Sequence, residues 1–352
     1  MAGLRDKIIK AGFETLYFSG VHRLLQHFVG GVGAILTLHH VRPARPDAFQ
    51  PNGILEITPD FLEHLIVALQ TAGVEFVSLD EVHRRLTAGD FRRRFAAITL
   101  DDGYRDNRTF AWPILKAHEI PFTIYIPTSF MDRDGELWWL ALEDIIACRE
   151  SIALPMDGEL RTFECRTAEA KYEAFAAIYW WLRRLPSDAE IRSQVRALAQ
   201  DCGIDTKRFC ERLCMDWSEL GELAADPLMT VGAHTVSHPI LAKTDAETMR
   251  REIAEGRAVI ERRLGVTPMH FSFPFGDPTS AGPREFAAAR ELGFRTAVTT
   301  RPGVLFPEHR DHLMALPRLS INGEYQRLRY VDVLLSGAAT AVWNGFRRVS
   351  AG

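Results

Sequence analysis

The 352-residue chain is poor in cysteine. It has five, at positions 148, 165, 202, 210 and 214, an odd number with no C-x-x-C pair. That argues against a disulfide frame and a cysteine-built zinc module, and a chain this long buries a core without such staples. Long apolar runs are missing as well: no eighteen consecutive apolar residues occur, so no membrane span is expected. The first residues hold no compact apolar segment backed by a small-residue cleavage site, so no signal peptide is expected. The default compartment is the cytoplasm, with unsignalled export as the alternative. An excess of positive charge is absent too. Lys+Arg number 42 against 46 Asp+Glu, a formal charge of -4, which argues against a nucleic-acid partner. No internal repeat, low-complexity tract or Gly-rich nucleotide loop is visible. What remains is an ordinary globular composition, sized for one large domain or two modest ones.

The first 30 residues read as an amphipathic helix. Leu4, Ile8, Phe13, Leu16, Tyr17, Val21, Leu24, Leu25 and Phe28 recur at three- and four-residue spacing before Gly30, Gly31 and Gly33 end the pattern. Across residues 1–46, Arg5, Lys7, Lys10, Arg23, Arg42 and Arg45 oppose only Asp6 and Glu14. Such a basic amphipathic helix either packs on the domain or makes peripheral membrane contact through residues 1–28. Seven strand candidates follow: Ala34–Leu38, Glu75–Leu79, Ala96–Leu100, Phe122–Ile126, Leu228–Ala233, Met269–Phe273 and Arg295–Thr299. Helix signals separate most of them, among them a capping box at Thr244-Asp245-Ala246-Glu247 ahead of a periodic helix that stops at Gly265. Alternating strands and helices mean parallel pairing, and seven units without a nucleotide loop favour a barrel over an open sheet. The expected fold is α/β: a deformed seven-stranded (β/α) barrel, residues 31–325, with a helical insertion between the fourth and fifth strands. Functional groups then belong at the carboxyl ends of the strands. The insertion, residues 131–225, carries five of the seven tryptophans, which serve either as core or as a surface for stacking sugars. Residues 326–352 read as a C-terminal helix and tail.

Ile98-Thr99-Leu100-Asp101-Asp102-Gly103-Tyr104 ends an apolar strand in two carboxylates and a glycine. Adjacent carboxylates repel, so the pair is costly unless a cation or a shared proton relieves it, or unless one of them caps the next helix. Val231-Gly232-Ala233-His234-Thr235-Val236-Ser237-His238 also follows a strand, with two imidazoles four residues apart. Together with Asp102 they offer two nitrogens and one oxygen, a ligand set that leaves positions open for water and substrate. Successive residues point in different directions, so Asp101 is free to act as a base beside the metal.

These segments resemble the polysaccharide deacetylases, the NodB-homology domain or carbohydrate esterase family 4. Thr99-Leu100-Asp101-Asp102-Gly103 is similar to the family's T-F-D-D-G, and His234 to His238 to its H-[ST]-x-x-H. Phe271-Ser272-Phe273-Pro274-Phe275-Gly276 resembles the F-x-Y-P-[YF]-G variant of the third motif, and Leu316-Pro317-Arg318 a late L-P-R segment of that branch. The resemblance implies a deformed seven-stranded barrel and a divalent metal, Zn2+ or another ion such as Co2+, Ni2+ or Mn2+. It implies Asp102, His234 and His238 as ligands and Asp101 as catalytic base. Phe273, Pro274, Phe275 and Gly276 would form one groove wall with a backbone N–H for the oxyanion, and Tyr104 is grouped with this substrate surface. Two departures stand out. Ser272 occupies the place of an Arg that in many members holds the base, and Arg318 is expected to reach in from the last strand instead. No C-terminal L-x-H supplies a leaving-group acid, so His40, in the Leu38-His39-His40 that ends the first strand, is the candidate acid or sugar contact.

The implied activity is hydrolysis of an N-acetyl group from an amino sugar in an oligosaccharide, polysaccharide or lipid-linked glycan. N-deformylation, O-acetyl ester hydrolysis and a catalytically impaired glycan-binding homologue remain alternatives on one scaffold. A non-haem iron oxygenase shares the two-His-one-carboxylate set, but has no use for the second acid.

Overall fold

The computed structural model describes residues 2–351, with side chains from Lys7 onward, so Met1, Gly352 and the side chains of Leu4, Arg5 and Asp6 lie outside the described residues. Seven parallel strands form a closed ring: β1 (Gly33–Leu38), β2 (Phe95–Leu100), β3 (Phe122–Ile126), β4 (Met229–Ala233), β5 (His270–Ser272), β6 (Thr296–Pro302) and β7 (Leu316–Ser320). Each pairs with the next in chain order, and β7 returns to β1 through Leu36↔Leu319. The β1–β2 seam is in register over its full length, Gly33↔Phe95 to Leu38↔Leu100. The β4–β5 seam has a single matched pair, Phe271↔Ala233, and a register shift between Val298 and Pro302 bends β6. These two irregularities are what deforms the barrel.

Both β1 and β2 are fully buried and, apart from Thr37 and Thr99, apolar, because one face packs inside the ring and the other under helices. Ile35, Ala97, Tyr125, Val298 and Leu316 fill the interior as one cluster.

The single N-terminal helix expected from periodicity is two, α1 (Ala2–Phe18) and α2 (Val21–Val29). Gly20, at φ 72°, breaks them in a left-handed conformation that suits glycine. One expected ring strand is also replaced. At Glu75–Leu79 only Glu75 and Phe76 are extended, paired beside the start of β2. Ser78 then caps α3 (Leu79–Ala88) by accepting from Glu81 N–H, and Leu79, Val82 and Leu86 join the interior cluster near Phe95. The chain leaves the wall there to pack against the barrel interior, and the seventh ring strand is β7. Counting the short Glu75–Phe76 strand, the insertion lies between the fourth and fifth strands; within the ring it separates β3 from β4.

The insertion holds α4 (Trp138–Ala147), α5 (Ala168–Arg184) and α6 (Asp188–Gln200), together with an antiparallel hairpin of Ser151–Met156 and Glu159–Glu164 that the helical reading did not foresee. Past β4 runs α7 (Ala246–Leu264), capped by Asp245 accepting from Thr248 N–H and ended by Gly265 in the left-handed region. The cap is thus Asp245 rather than Thr244. The C-terminal helices α8 (Leu328–Leu335) and α9 (Ala338–Trp343) pack against α1 and α2. Phe13 stacks on Tyr330 at 5.2 Å, and Glu14 accepts from Arg329 and Tyr330. All five cysteines are free thiols. No described helix is long and apolar enough to cross a membrane.

Candidate active site

The carboxyl ends of β1, β2, β4, β5 and β7 converge on one buried cluster. Asp101 and Asp102 leave β2, with Asp101 N–H bonded to Leu38 O of β1. Asp102 sits at φ 73°, which turns its carboxylate away from that of Asp101 and towards the loop after β4. There His234 and His238 bring their Nε2 atoms to 3.6 and 3.4 Å from Asp102 Oδ1, and the ligand atoms of all three lie within 4.8 Å of one another. Thr235, His238 and Phe275 share the left-handed backbone (φ 69°, 58° and 61°). Four such non-glycine residues around one centre are strain that the fold holds in place.

The His234 ring and the loop that carries His238 are held from outside. His234 Nδ1 donates to Ser272 O at 2.6 Å, which leaves Nε2 with its lone pair towards Asp102. His238 N–H donates to Thr235 Oγ1. Glu252 of α7 accepts from Val236 N–H, Ser237 N–H and Ser237 Oγ, and Arg192 of α6 donates to the carbonyls of Ser237 and His238 at 2.7 and 3.2 Å. Gly256 lets α7 sit against the loop, since a Cβ there would lie 2.7 Å from the Thr235 carbonyl carbon. Glu252 and Arg192 were not foreseen. They are charged residues on amphipathic helices, and no local pattern distinguishes them from solvated ones.

Asp101 faces a different partner. Arg318 of β7, its side chain fully buried, grips it through two bonds of 2.8 and 2.7 Å and also donates to Thr99 Oγ1, Ser272 Oγ and Thr299 O. Burial alone would raise the Asp101 pKa, but the Arg318 charge and hydrogen bonds hold it well below the usual carboxylate range. Asp102 goes the other way: burial and the Asp101 charge push it up to about 8. The two neighbours are thus set apart in proton affinity. Burial lowers the pKa of both His234 and His238, keeping the imidazoles neutral.

The cluster forms the floor of a cavity of about 1060 Å³. Of the two histidines ending β1, His39 lines this cavity and His40 does not. His40 is buried behind it, bonded to Asp106 at 2.6 Å and stacked on Tyr104 at 3.6 Å. The expected cavity contact at His40 is thus not made, because adjacent side chains at a strand end point to opposite sides and it is His39 that faces the cavity. Burial holds His39 at about 4, with Asp101 and Arg318 acting in opposite directions. Tyr104 is fully buried with His40 and does not line the cavity, and burial and the Asp102 charge raise its phenol pKa. Among Phe273, Pro274, Phe275 and Gly276, only Phe275 reaches the cavity. Phe273 packs on Phe271 and Phe286, and the N–H groups of Phe273 and Gly276 are spent on Val298 O and Pro274 O.

The sequence profile described as polysaccharide deacetylase matches residues 88–297, more than half of the chain and inclusive of both ligand segments. The chain belongs to the polysaccharide deacetylase family. Solved structures agree at the level of the fold. A Streptococcus pyogenes deacetylase, PplD, solved with acetate, has 16% identity and a TM-score of 0.56 over 86% of this chain and 96% of its own. IcaB from Ammonifex degensii has 17% identity and a TM-score of 0.52 over 88% and 98%, and a de-N-acetylase from Aggregatibacter actinomycetemcomitans has 14% and 0.54 over 86% and 99%. No curated protein matches by sequence. As a polysaccharide deacetylase, the protein is a hydrolase of carbon–nitrogen bonds in acetylated glycans.

Proposed function

We propose that the protein removes an N-acetyl group from an amino sugar within an oligosaccharide, polysaccharide or lipid-linked glycan, using a divalent metal held by Asp102, His234 and His238. The observation that carries this reading is the Asp101–Arg318 ion pair set beside that cluster. A carboxylate kept ionised by a buried guanidinium, next to an aspartate with opposite proton affinity, is a base placed beside a ligand. The cluster fits a cation on its own evidence. Asp102 Oδ1 is buried without a hydrogen-bond donor, between two imidazole Nε2 atoms. The donor set of two nitrogens and one carboxylate oxygen suits Zn2+, Co2+, Ni2+ or Mn2+.

A bound ion would supply Lewis acidity to the acyl carbonyl and to the attacking water. The chain does the rest. Asp101 takes a proton from the water as its oxygen bonds to the carbonyl carbon, and the Phe275 N–H is assigned to the oxyanion. Collapse breaks the carbon–nitrogen bond, and the proton that Asp101 took from the water passes to the departing amine through the neutral ring of His39, on the cavity floor beside Asp101. The products are acetate and a free amino sugar. Arg318 reaching Asp101 favours a working hydrolase over an impaired binding homologue, since it supplies the partner that Ser272 cannot.

The test pairs metal analysis with acetate release from N-acetylglucosamine oligomers. Wild type releases acetate; Asp102→Ala loses the metal; Asp101→Asn keeps the metal and loses turnover. Full activity in Asp101→Asn would discard the reading.

The peripheral membrane contact is proposed on a separate observation. Phe18, Leu24, Phe28, Val342, Trp343 and Phe346 are exposed on the packed terminal helices and the turn after them, among Arg23, Arg347 and Arg348. Apolar side chains interleaved with cations suit an anionic bilayer surface. Co-sedimentation with phosphatidylglycerol vesicles should fall when Leu24 and Phe28 become Ser, and equal partitioning of both proteins would discard it.

A further inference from the structure

The turn after β5 leaves one backbone donor open beside the ligand cluster. Pro274 has no N–H, and those of Phe273 and Gly276 are bonded to Val298 O and Pro274 O. The N–H that remains belongs to Phe275, at φ 61° and followed by Gly276 at φ 63°. Two successive left-handed residues, the first of them not glycine, carry strain that surrounding contacts must hold. The direction of the Phe275 N–H therefore depends on what grips this turn.

Arg183, in the last turn of α5, grips it at two points. Its guanidinium lies 4.5 Å over the Phe275 ring, and its Nη2 donates to Asp277 Oδ2 at 2.6 Å and to Ser280 Oγ at 2.9 Å. A cation in the last turn of a helix needs no further role, and exposed Arg184 has none on view. Arg183 differs: its side chain is only 8% exposed and is spent across the gap to another element. Asp277 uses its remaining capacity inside the turn, accepting from Thr279 N–H, Thr279 Oγ1 and Ser280 Oγ. On its other sides Phe275 packs on His238 at 5.1 Å and on Trp138 at 6.0 Å, and Phe275 O accepts from Thr300 Oγ1. The end of α5 is itself anchored, because Lys243, beyond the two histidines, donates to the carbonyls of Arg183 and Leu185. The ring of Phe275 and the carboxylate of Asp277 flank Gly276, so a single side chain holding both fixes the peptides between them.

We propose that Arg183 is a positioning residue for the hydrolysis: by gripping Phe275 and Asp277 together it aims the Phe275 N–H at the place where the oxyanion forms. It does not line the cavity and acts only through the turn. The inference rests on the deacetylase reading, since an oxyanion forms only in that reaction. A donor aimed wrongly loses rate rather than substrate affinity, because the charge it meets exists only in the transition state.

The experiment measures kcat, KM and bound metal during acetate release from N-acetylglucosamine oligomers, together with amide hydrogen exchange across residues 273–280. In Arg183→Met, kcat falls about 10- to 100-fold, KM and bound metal stay within about twofold, and exchange across the segment rises. Arg183→Lys, which keeps a cation at Asp277, recovers part of the rate. Asp277→Asn removes the ion pair at a partly exposed position, so the fold survives it, and lowers kcat in the same way. Adding Asp277→Asn to Arg183→Met costs little more, because both loosen one grip. Losses that multiply in the double variant, or a raised KM at unchanged kcat, overturn the proposal and leave the deacetylase reading standing. Unchanged exchange in Arg183→Met overturns it whatever the activity. A wild type that releases no acetate from any oligomer discards the deacetylase reading and the role assigned to Arg183 with it.

Discussion

Replacing Arg318 with Met is the sharpest test of how the site is built. The guanidinium is fully buried and makes two bonds to Asp101 and three more, to Thr99, Ser272 and Thr299. Met keeps much of the volume and removes every donor, leaving a buried carboxylate without a counter-charge beside a second carboxylate. Breaking one half of a buried pair costs about 3–5 kcal/mol. The sign with pH is specific. In the wild type the Asp101 pKa is depressed, so its pairing stabilises the fold above the unfolded carboxylate pKa of about 3.9, and that contribution is lost as pH falls through the folded value. Without Arg318 the folded pKa rises above the unfolded one. Asp101 then penalises folding at neutral pH and ceases to do so once protonated. Urea unfolding of the metal-free proteins should therefore show the full destabilisation at pH 7 and a smaller one near pH 4, where Asp101 of the variant is protonated while the wild-type pair is still intact. The double variant Arg318→Met/Asp101→Asn should regain most of the loss. In the acetate-release assay the acid limb of the kcat/KM profile moves to higher pH, because the base must first ionise unaided. A destabilisation under 1 kcal/mol at pH 7, or one equally large in acid, would refute the account of Asp101 as an anion held by Arg318.

Three further outcomes follow from the same geometry. His39→Gln should lower kcat by about 10²- to 10⁴-fold, the usual weight of a general acid, whereas His40→Gln should act mainly on stability through Asp106; equal kcat losses would count against His39. Arg192→Met should weaken divalent-ion affinity about 10- to 100-fold by calorimetry, because the loop bearing His238 loses two carbonyl anchors, and unchanged affinity would reduce Arg192 to packing. His309 is buried with Nδ1 accepting from Phe306 N–H, and burial holds its pKa at about 4 against an ordinary 6.5. The fold requires the neutral ring, so about 3 kcal/mol of stability is present above pH 6.5 and disappears as pH falls to 4; His309→Asn, which can accept but not titrate, should flatten that part of the pH–stability curve.

What the sequence made legible, and what it hid, follows from how local each signal is. The two aspartates after β2 and the two histidines after β4 are short patterns at strand ends, so their convergence follows once the strands pair in parallel. β7 was hidden as a ring strand because Pro317 and Arg318 interrupt its apolar run, and a charged residue in a ring strand makes sense only once Asp101 is known to lie opposite. The hairpin was readable: Ile152, Leu154 and Met156 alternate with exposed residues and Asp157-Gly158 is a strong two-residue turn, but the surrounding helical periodicity masked it. Alternation says that His39 and His40 face opposite ways without saying which faces in, because strand phase at a terminus is fixed by tertiary contacts, here the Asp106 bond to His40. The tryptophans divide for a similar reason. Trp180 and Trp181 are adjacent on α5, yet one is exposed at the cavity and the other buried.

The placement of Arg318 shows which feature of the site is constrained. The family resemblance leads one to expect a guanidinium at the position of Ser272, on β5, and finds a hydroxyl there. Arg318 arrives instead from β7, two strands further round the ring, with its Nη2 3.1 Å from Ser272 Oγ and 2.7 Å from Asp101. Strand ends around a closed barrel point into one shared space, so a side chain as long as Arg can reach the same carboxylate from more than one of them. A small residue at 272 is then required, since a second guanidinium would collide with the first and leave one cation without a counter-ion. Ser272→Arg in the wild-type background should accordingly destabilise the protein, while Ser272→Arg combined with Arg318→Met should recover part of the stability and of the acid limb that Arg318→Met loses. A combined variant no better than Arg318→Met would mean that the direction of approach matters as much as the charge.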